Sequence, residues 1–174
     1  RRGFGPAEAG VAVSAYGAGH LMASMLGGHL ADRIGRRDTI ALSMFSSALT
    51  MVALSQAVSY PAILFLTFLA GVAAELYRPA AGALIGDLVA PEQRITAFGV
   101  YRFAVNLGFA AGPATAGFLA DRSFIYLFLG DAITSAGYGV IALIALPHGV
   151  RSSRHDEEAR GAVGHALSNR RFVL

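Results

Sequence analysis

The chain has 174 residues and is 55% hydrophobic but only 14% charged, where an ordinary soluble domain has about 25% charged residues. Its mean hydropathy is +0.54, and apolar runs of membrane-spanning length recur along it. It has no cysteine, which excludes disulfides and thiolate metal sites, and its net charge of +3 rests on 14 basic residues, all arginine. Most of these arginines sit in short connections between apolar runs, the pattern of a topology signal, and not on one solvated face, as nucleic-acid binding requires.

Residues 1–10 are polar, contain Gly and Pro, and read as a loop. The first span is expected at 11–30, close to the 20 residues that a ~30 Å hydrocarbon layer demands. Within it Gly19, Ala23 and Gly27 recur every four residues, a flat stripe that lets another helix approach closely. His20 shares that segment and reads as a hydrogen-bonded structural residue. Charged residues 28–37 connect this span to a second at 39–57, whose Ser43, Ser46, Ser47, Thr50 and Ser55 can bond back to the helix or across to a neighbour.

Ser59-Tyr60-Pro61 makes a short turn into a third span, 62–88, which is longer than a membrane needs and contains Glu75, Arg78 and Pro79. Pro79 should free a carbonyl and bend this helix. After a polar break at 90–94, the fourth span (95–120) carries Arg102, Asn106 and a glycine-rich second half, and the fifth (124–146) carries Asp131. From 147 to 174 the chain reads as a hydrophilic linker leading into the start of another helix. With five spans, Arg33, Arg36, Arg37, Arg94, Arg151, Arg154, Arg160, Arg170 and Arg171 fall on one side, and Arg1, Arg2 and Arg122 on the other. The positive-inside rule makes the first side cytoplasmic.

The connection Gly28-x-Leu30-Ala31-Asp32-Arg33-x-Gly35-Arg36-Arg37 closely resembles the signature of the major facilitator superfamily between the second and third helices of a six-helix half. The run Asn106 to Gly117, with Gly108, Gly112, Pro113 and Gly117, resembles the fifth-helix motif of drug:proton antiporters in that superfamily. Asp87, followed by Pro91-Glu92-Gln93-Arg94, is similar to the family's connection between helices four and five. One position departs from the pattern: the fourth-helix arginine that the family links to proton coupling is Thr67 here, and Arg78 is the residue available to serve instead.

The resemblance implies an all-α, multi-pass helical bundle: five helices of a six-helix N-terminal half, with the first helix and the C-terminal half outside this chain. It implies a gating role for Gly28, Asp32, Arg33, Gly35, Arg36, Arg37, Asp87 and Arg94, and a hinge at Gly108, Gly112, Pro113 and Gly117. In physical terms, Gly28 and Gly35 permit close packing and a turn with positive φ. Asp32 can face the positive end of another helix, and Arg36 can pair with Asp87. The plain alternative for the arginines is a topology signal, and for the glycines static packing.

Charges inside the spans form a second set. Each costs roughly 2.5–3.5 kcal/mol at the membrane centre on insertion scales, so Glu75, Arg78, Arg102 and Asp131 should pair, face the interior or line water. Glu75 and Arg78, three apart on one helix face, can pair directly. With Asn106 they make up a candidate substrate or proton pathway, or else structural pairs. No metal spacing, phosphate loop or nucleophile motif points to an enzyme, a metal or a cofactor. The expectation is a secondary transporter in the cytoplasmic membrane, moving a small amphiphilic molecule by alternating access, with efflux by proton antiport. Its partners would be the substrate, protons, the lipid bilayer and the rest of the transporter. An uptake carrier for a sugar, peptide or osmolyte, and a non-transporting receptor or scaffold, are the alternatives.

Overall fold

The computed structural model describes residues 5–148. Beyond His148 the expected linker, and with it Arg151, Arg154, Arg160, Arg170 and Arg171, lies outside the described residues, as do Arg1 and Arg2. Within them the fold is all-α: α1 (Pro6–Ile34), α2 (Arg36–Gln56), α3 (Tyr60–Glu75), α4 (Tyr77–Leu88), a short 3-10 turn (Pro91–Gln93), α5 (Arg94–Ala120) and α6 (Phe124–Ala145). Four segments are long and apolar enough to cross a membrane: α2, α3 with α4 as one 29-residue stretch, the 3-10 turn with α5, and α6. The 29-residue α1 is long enough but is not among them, because glycines, serines and His20 dilute its apolar residues.

Helix α1 starts inside the expected N-terminal loop. Pro6 suits the first helical position, and the Glu8 carboxylate accepts the Gly5 N–H at 2.8 Å, satisfying a donor that the helix leaves free. At its other end α1 runs through most of the charged connection. Gly35 is the single residue between α1 and α2, with φ 98° and ψ 156°, a conformation essentially reserved for glycine. Its N–H donates to the Ala31 carbonyl, and its own carbonyl accepts from the Thr39 N–H and, at 2.8 Å, the Thr39 hydroxyl. The charged connection expected at 28–37 is folded as two helix ends and one joint.

The expected third span is divided at Leu76, where α3 gives way to α4. Pro79 explains the position of the break: it has no N–H to offer the Glu75 carbonyl one turn back, and its ring crowds that carbonyl.

The stripe on α1 is packed as its spacing suggested, with Gly19, Ala23, Gly27 and Ala31 all buried. A Cβ on Gly19 would strike the Phe68 carbonyl and lie 2.9 Å from the Val72 nitrogen of α3. One on Gly27 would come within 2.6 Å of the Leu76 carbonyl, and one on Gly71 would strike the Tyr16 carbonyl. Backbone therefore meets backbone along α1 and α3, and Gly27 sits against the break itself.

Helix α2 contacts α1, α3, α4 and α6. It presents a seam of buried hydroxyls, Thr39, Ser43, Ser47 and Thr50; the Ser43 hydroxyl donates across to the Ala73 carbonyl at 2.5 Å, while Ser46, Thr50 and Ser55 bond back within their own helix. The core cluster of Ala31, Ile40, Met44, Ala80, Ala81, Leu84 and Ala142 joins α1, α2, α4 and α6. Helix α5 has no buried residue. Large apolar side chains such as Met25, Ile95 and Ile144 are more than four-fifths exposed, as expected of a bundle whose solvent is lipid.

Candidate functional site

Two clusters of charge are built on this frame. The first surrounds the Gly35 joint. Arg36, the first residue of α2, is only 7% exposed; its guanidinium donates to the Ala83 carbonyl at 2.9 Å and forms an ion pair with Asp87, both on α4. A buried guanidinium needs both an opposite charge and further acceptors, and α4 supplies them. Arg37 turns the other way: its guanidinium reaches the Leu143 carbonyl near the end of α6 and the His148 ring. A cation there satisfies a carbonyl that the helix leaves free and complements the negative end of its dipole.

Consecutive arginines thus hold α4 on one side of α2 and α6 on the other. The pairing of Arg36 with Asp87 was anticipated from the sequence; the anchoring of α6 by Arg37 was not. Nothing in the spacing of residue 37 and residues 143–148 signals it.

Of the other members of the expected gating set, Asp32 interacts electrostatically with Arg36. Asp32 and Arg33 are exposed on the last turn of α1. Arg94 is exposed and donates to the Val89 carbonyl at 3.5 Å, so it sits against the end of α4. A Cβ on Gly28 would meet nothing within 4 Å, which corrects the expectation of close packing there; the close approach belongs to Gly27.

The second cluster lies at the break between α3 and α4. Glu75, the last residue of α3, has an 11% exposed side chain. Its Oε2 is 2.5 Å from Arg78 Nε and its Oε1 is 3.5 Å from His20 Nδ1 on α1. The Arg78 contact is an ion pair without hydrogen-bond alignment, since Oε2 accepts no hydrogen bond. The expected Glu75–Arg78 pair is therefore present, and His20 joins it. Tyr16, Tyr77 and Asp131 share the electrostatic surroundings of this pair. The Tyr77 ring packs edge-on against Tyr138 of α6, with centroids 6.3 Å apart.

Arg102 and Asn106 are exposed on α5, and Asp131 is exposed on α6. The fifth-helix motif does not break its helix: α5 continues through Pro113 from Arg94 to Ala120. A Cβ on Gly108, Gly112 or Gly117 would meet nothing within 4 Å. The tight packing expected of these glycines is absent among the described residues, because no described helix lies over them. Among the described residues no group of three His, Asp or Glu side chains is arranged to hold a metal ion.

Comparison with known proteins agrees with this architecture. The family model of the Major Facilitator Superfamily matches residues 2–174. The chain is similar to the uncharacterized MFS-type transporter YqjV of Bacillus subtilis, at 25% identity over 140 residues, which is 80% of this chain and 34% of that protein. It is also similar to the quinolone resistance protein NorA of Staphylococcus aureus, at 25% identity over 121 residues, 70% of this chain and 31% of the relative. The chain spans about a third of the length of these curated relatives. A bundle of long apolar helices joined through a one-glycine turn, matched along nearly its whole length by one family model, belongs to the Major Facilitator Superfamily.

Proposed function

We propose that this chain is part of a secondary active transporter of the cytoplasmic membrane, working by alternating access and exporting a small amphiphilic molecule in exchange for protons. The observation that best supports this reading is the Gly35 joint with its Arg36–Asp87 pair, buried on the arginine side and half-open on the aspartate side. Such a pair is costly to break and cheap to hydrate once broken, which suits a latch between access states. The likeness to a quinolone resistance protein favours efflux over uptake. In this reading Asp32, Arg33, Arg36, Arg37, Asp87 and Arg94 form the cytoplasmic gate, with Asp32 exposed and available to a helix outside the described residues. Glu75, Arg78, Arg102, Asn106 and Asp131 line the substrate or proton pathway, and substrate binds near the midplane between halves.

The test is Asp32→Asn in the full-length protein. Ethidium efflux from energised vesicles should fall at least tenfold while expression and membrane insertion stay within twofold of the wild type. Wild-type efflux in that variant would reduce the connection to a topology signal. Ethidium counterflow that never exceeds that of empty liposomes would favour a receptor over a carrier.

A further inference from the structure

We propose that His20 and Arg78 divide Glu75 between them across the helix break, so that protonation of His20 decides how firmly the end of α3 is tied to α1. This deepens the proton-pathway reading of Glu75 and rests on it for its consequence in transport, though not for its existence.

Three observations carry the proposal. First, the two oxygens of one carboxylate face different partners: Oε1 faces His20 Nδ1 at 3.5 Å and Oε2 faces Arg78 Nε at 2.5 Å. Second, the partners belong to different rigid pieces. His20 is fixed relative to α3 because the backbones touch at Gly19 and Gly71, the latter placing the His20 nitrogen 3.2 Å from a would-be Cβ. Arg78 lies beyond the break, on α4. Third, the partners differ in kind. A guanidinium is a permanent cation, whereas an imidazole gains and loses its charge between about pH 5 and 8. The His20 side chain is 40% exposed and the Glu75 side chain 11%.

The groups facing this site from the packed elements are few. Tyr16 comes from α1, Tyr77 from α4, Asp131 from α6 and Tyr101 from α5, while the Ser43 hydroxyl of α2 donates to the Ala73 carbonyl two residues before Glu75. Arg78 is the permanent cation among them, and His20 the imidazole. With His20 charged, both oxygens are held by cations and α3 is tied to α1. With His20 neutral, Arg78 alone holds Glu75 across the break, and the end of α3 loses its charged tie to α1.

A melting experiment on the purified full-length protein at pH 5.5 and pH 8 tests this. His20→Gln, Glu75→Gln and the double variant form a cycle. Their melting shifts should be non-additive by on the order of 1–2 °C at pH 5.5 and additive at pH 8. His20→Lys, which keeps its charge, should remain coupled to Glu75 at both values. Additivity at both pH values, or equal coupling at both, would overturn the proposal. If Glu75→Gln does not yield folded protein, the gap between wild type and His20→Gln decides: it should be wider at pH 5.5 than at pH 8, and a constant gap overturns the proposal. The pH profile of ethidium efflux separates the two readings. Coupling in the melting cycle with a wild-type profile in Glu75→Gln keeps the His20 site and removes Glu75 from the proton pathway. A flattened profile without coupling does the reverse.

Discussion

Helices α1 and α5 carry the same kind of message in their sequences and meet different fates. Each repeats small residues at intervals of about four: Gly19, Ala23 and Gly27 in α1, and Gly108, Gly112 and Gly117 in α5. Along α1 every one of these positions is buried, and at Gly19 and Gly27 the backbone of α3 or of the break at Leu76 stands where a side chain would go. Along α5 all three glycines look onto open space. Small residues confer the capacity for close approach and say nothing about where the partner is. In α1 the partner lies within the described residues; in α5 it does not.

Adding side chains at the two sets of contacts is the most direct way to break this contrast, and the largest effect belongs to the α1–α3 contact, which Gly71 makes from the α3 side. Gly71→Val would drive a Cβ bearing two methyl groups into the Tyr16 carbonyl. Because backbone cannot move aside as a side chain can, the two helices must separate, at a cost of roughly 3 kcal/mol or more. The expected outcome is loss of most monodisperse protein in size-exclusion chromatography. Recovery of wild-type yield would show that α1 and α3 are not in backbone contact.

An intermediate effect belongs to the joint. Arg36→Ala leaves Asp87 without its cation and the Ala83 carbonyl without its side-chain donor, a loss of about 1–3 kcal/mol given that Asp87 is a third exposed. The melting temperature of the full-length protein should fall by several degrees, and Asp87→Asn should fall less, because an amide still accepts from Arg36. Equal losses in both variants would mean that charge contributes more than hydrogen bonding.

The smallest effect is expected in α5. Gly112→Ala adds a methyl where nothing stands and replaces the residue least suited to a helix interior save proline. A gain of up to about 1 kcal/mol follows, read as an unchanged or slightly raised melting temperature. A marked loss in the full-length protein would instead reveal a helix from outside residues 5–148 seated on that face.

These contrasts also mark how far the sequence reaches. The number and order of the long helices, the stripe on α1, the bend near Pro79 and the pairs Arg36–Asp87 and Glu75–Arg78 were all legible, because each follows from local spacing or from one helix end lying beside another. The start of α1 at Pro6 was hidden by a polar composition that reads as loop until the Glu8 carboxylate is seen returning to the Gly5 N–H. The reach of Arg37 to Leu143 and of His20 to Glu75 joins residues 106 and 55 positions apart, and only the packing of α2 on α6 and of α1 on α3 brings them together. The role of Gly28 was misread by one residue, since a helical stripe places Gly27 and not its neighbour on the contact face.

The one-residue link at Gly35 has a mechanical side. A loop of several residues lets two helices slide past each other; a single residue offers two torsions and a span of about 3.8 Å between neighbouring Cα atoms. Helix α1 therefore cannot shift lengthwise against α2 without pulling on it, and any tilt of one reaches the other as a turn about Gly35. With α4 and α6 fastened to the first two residues beyond that pivot, displacement of α1 is delivered to both at once.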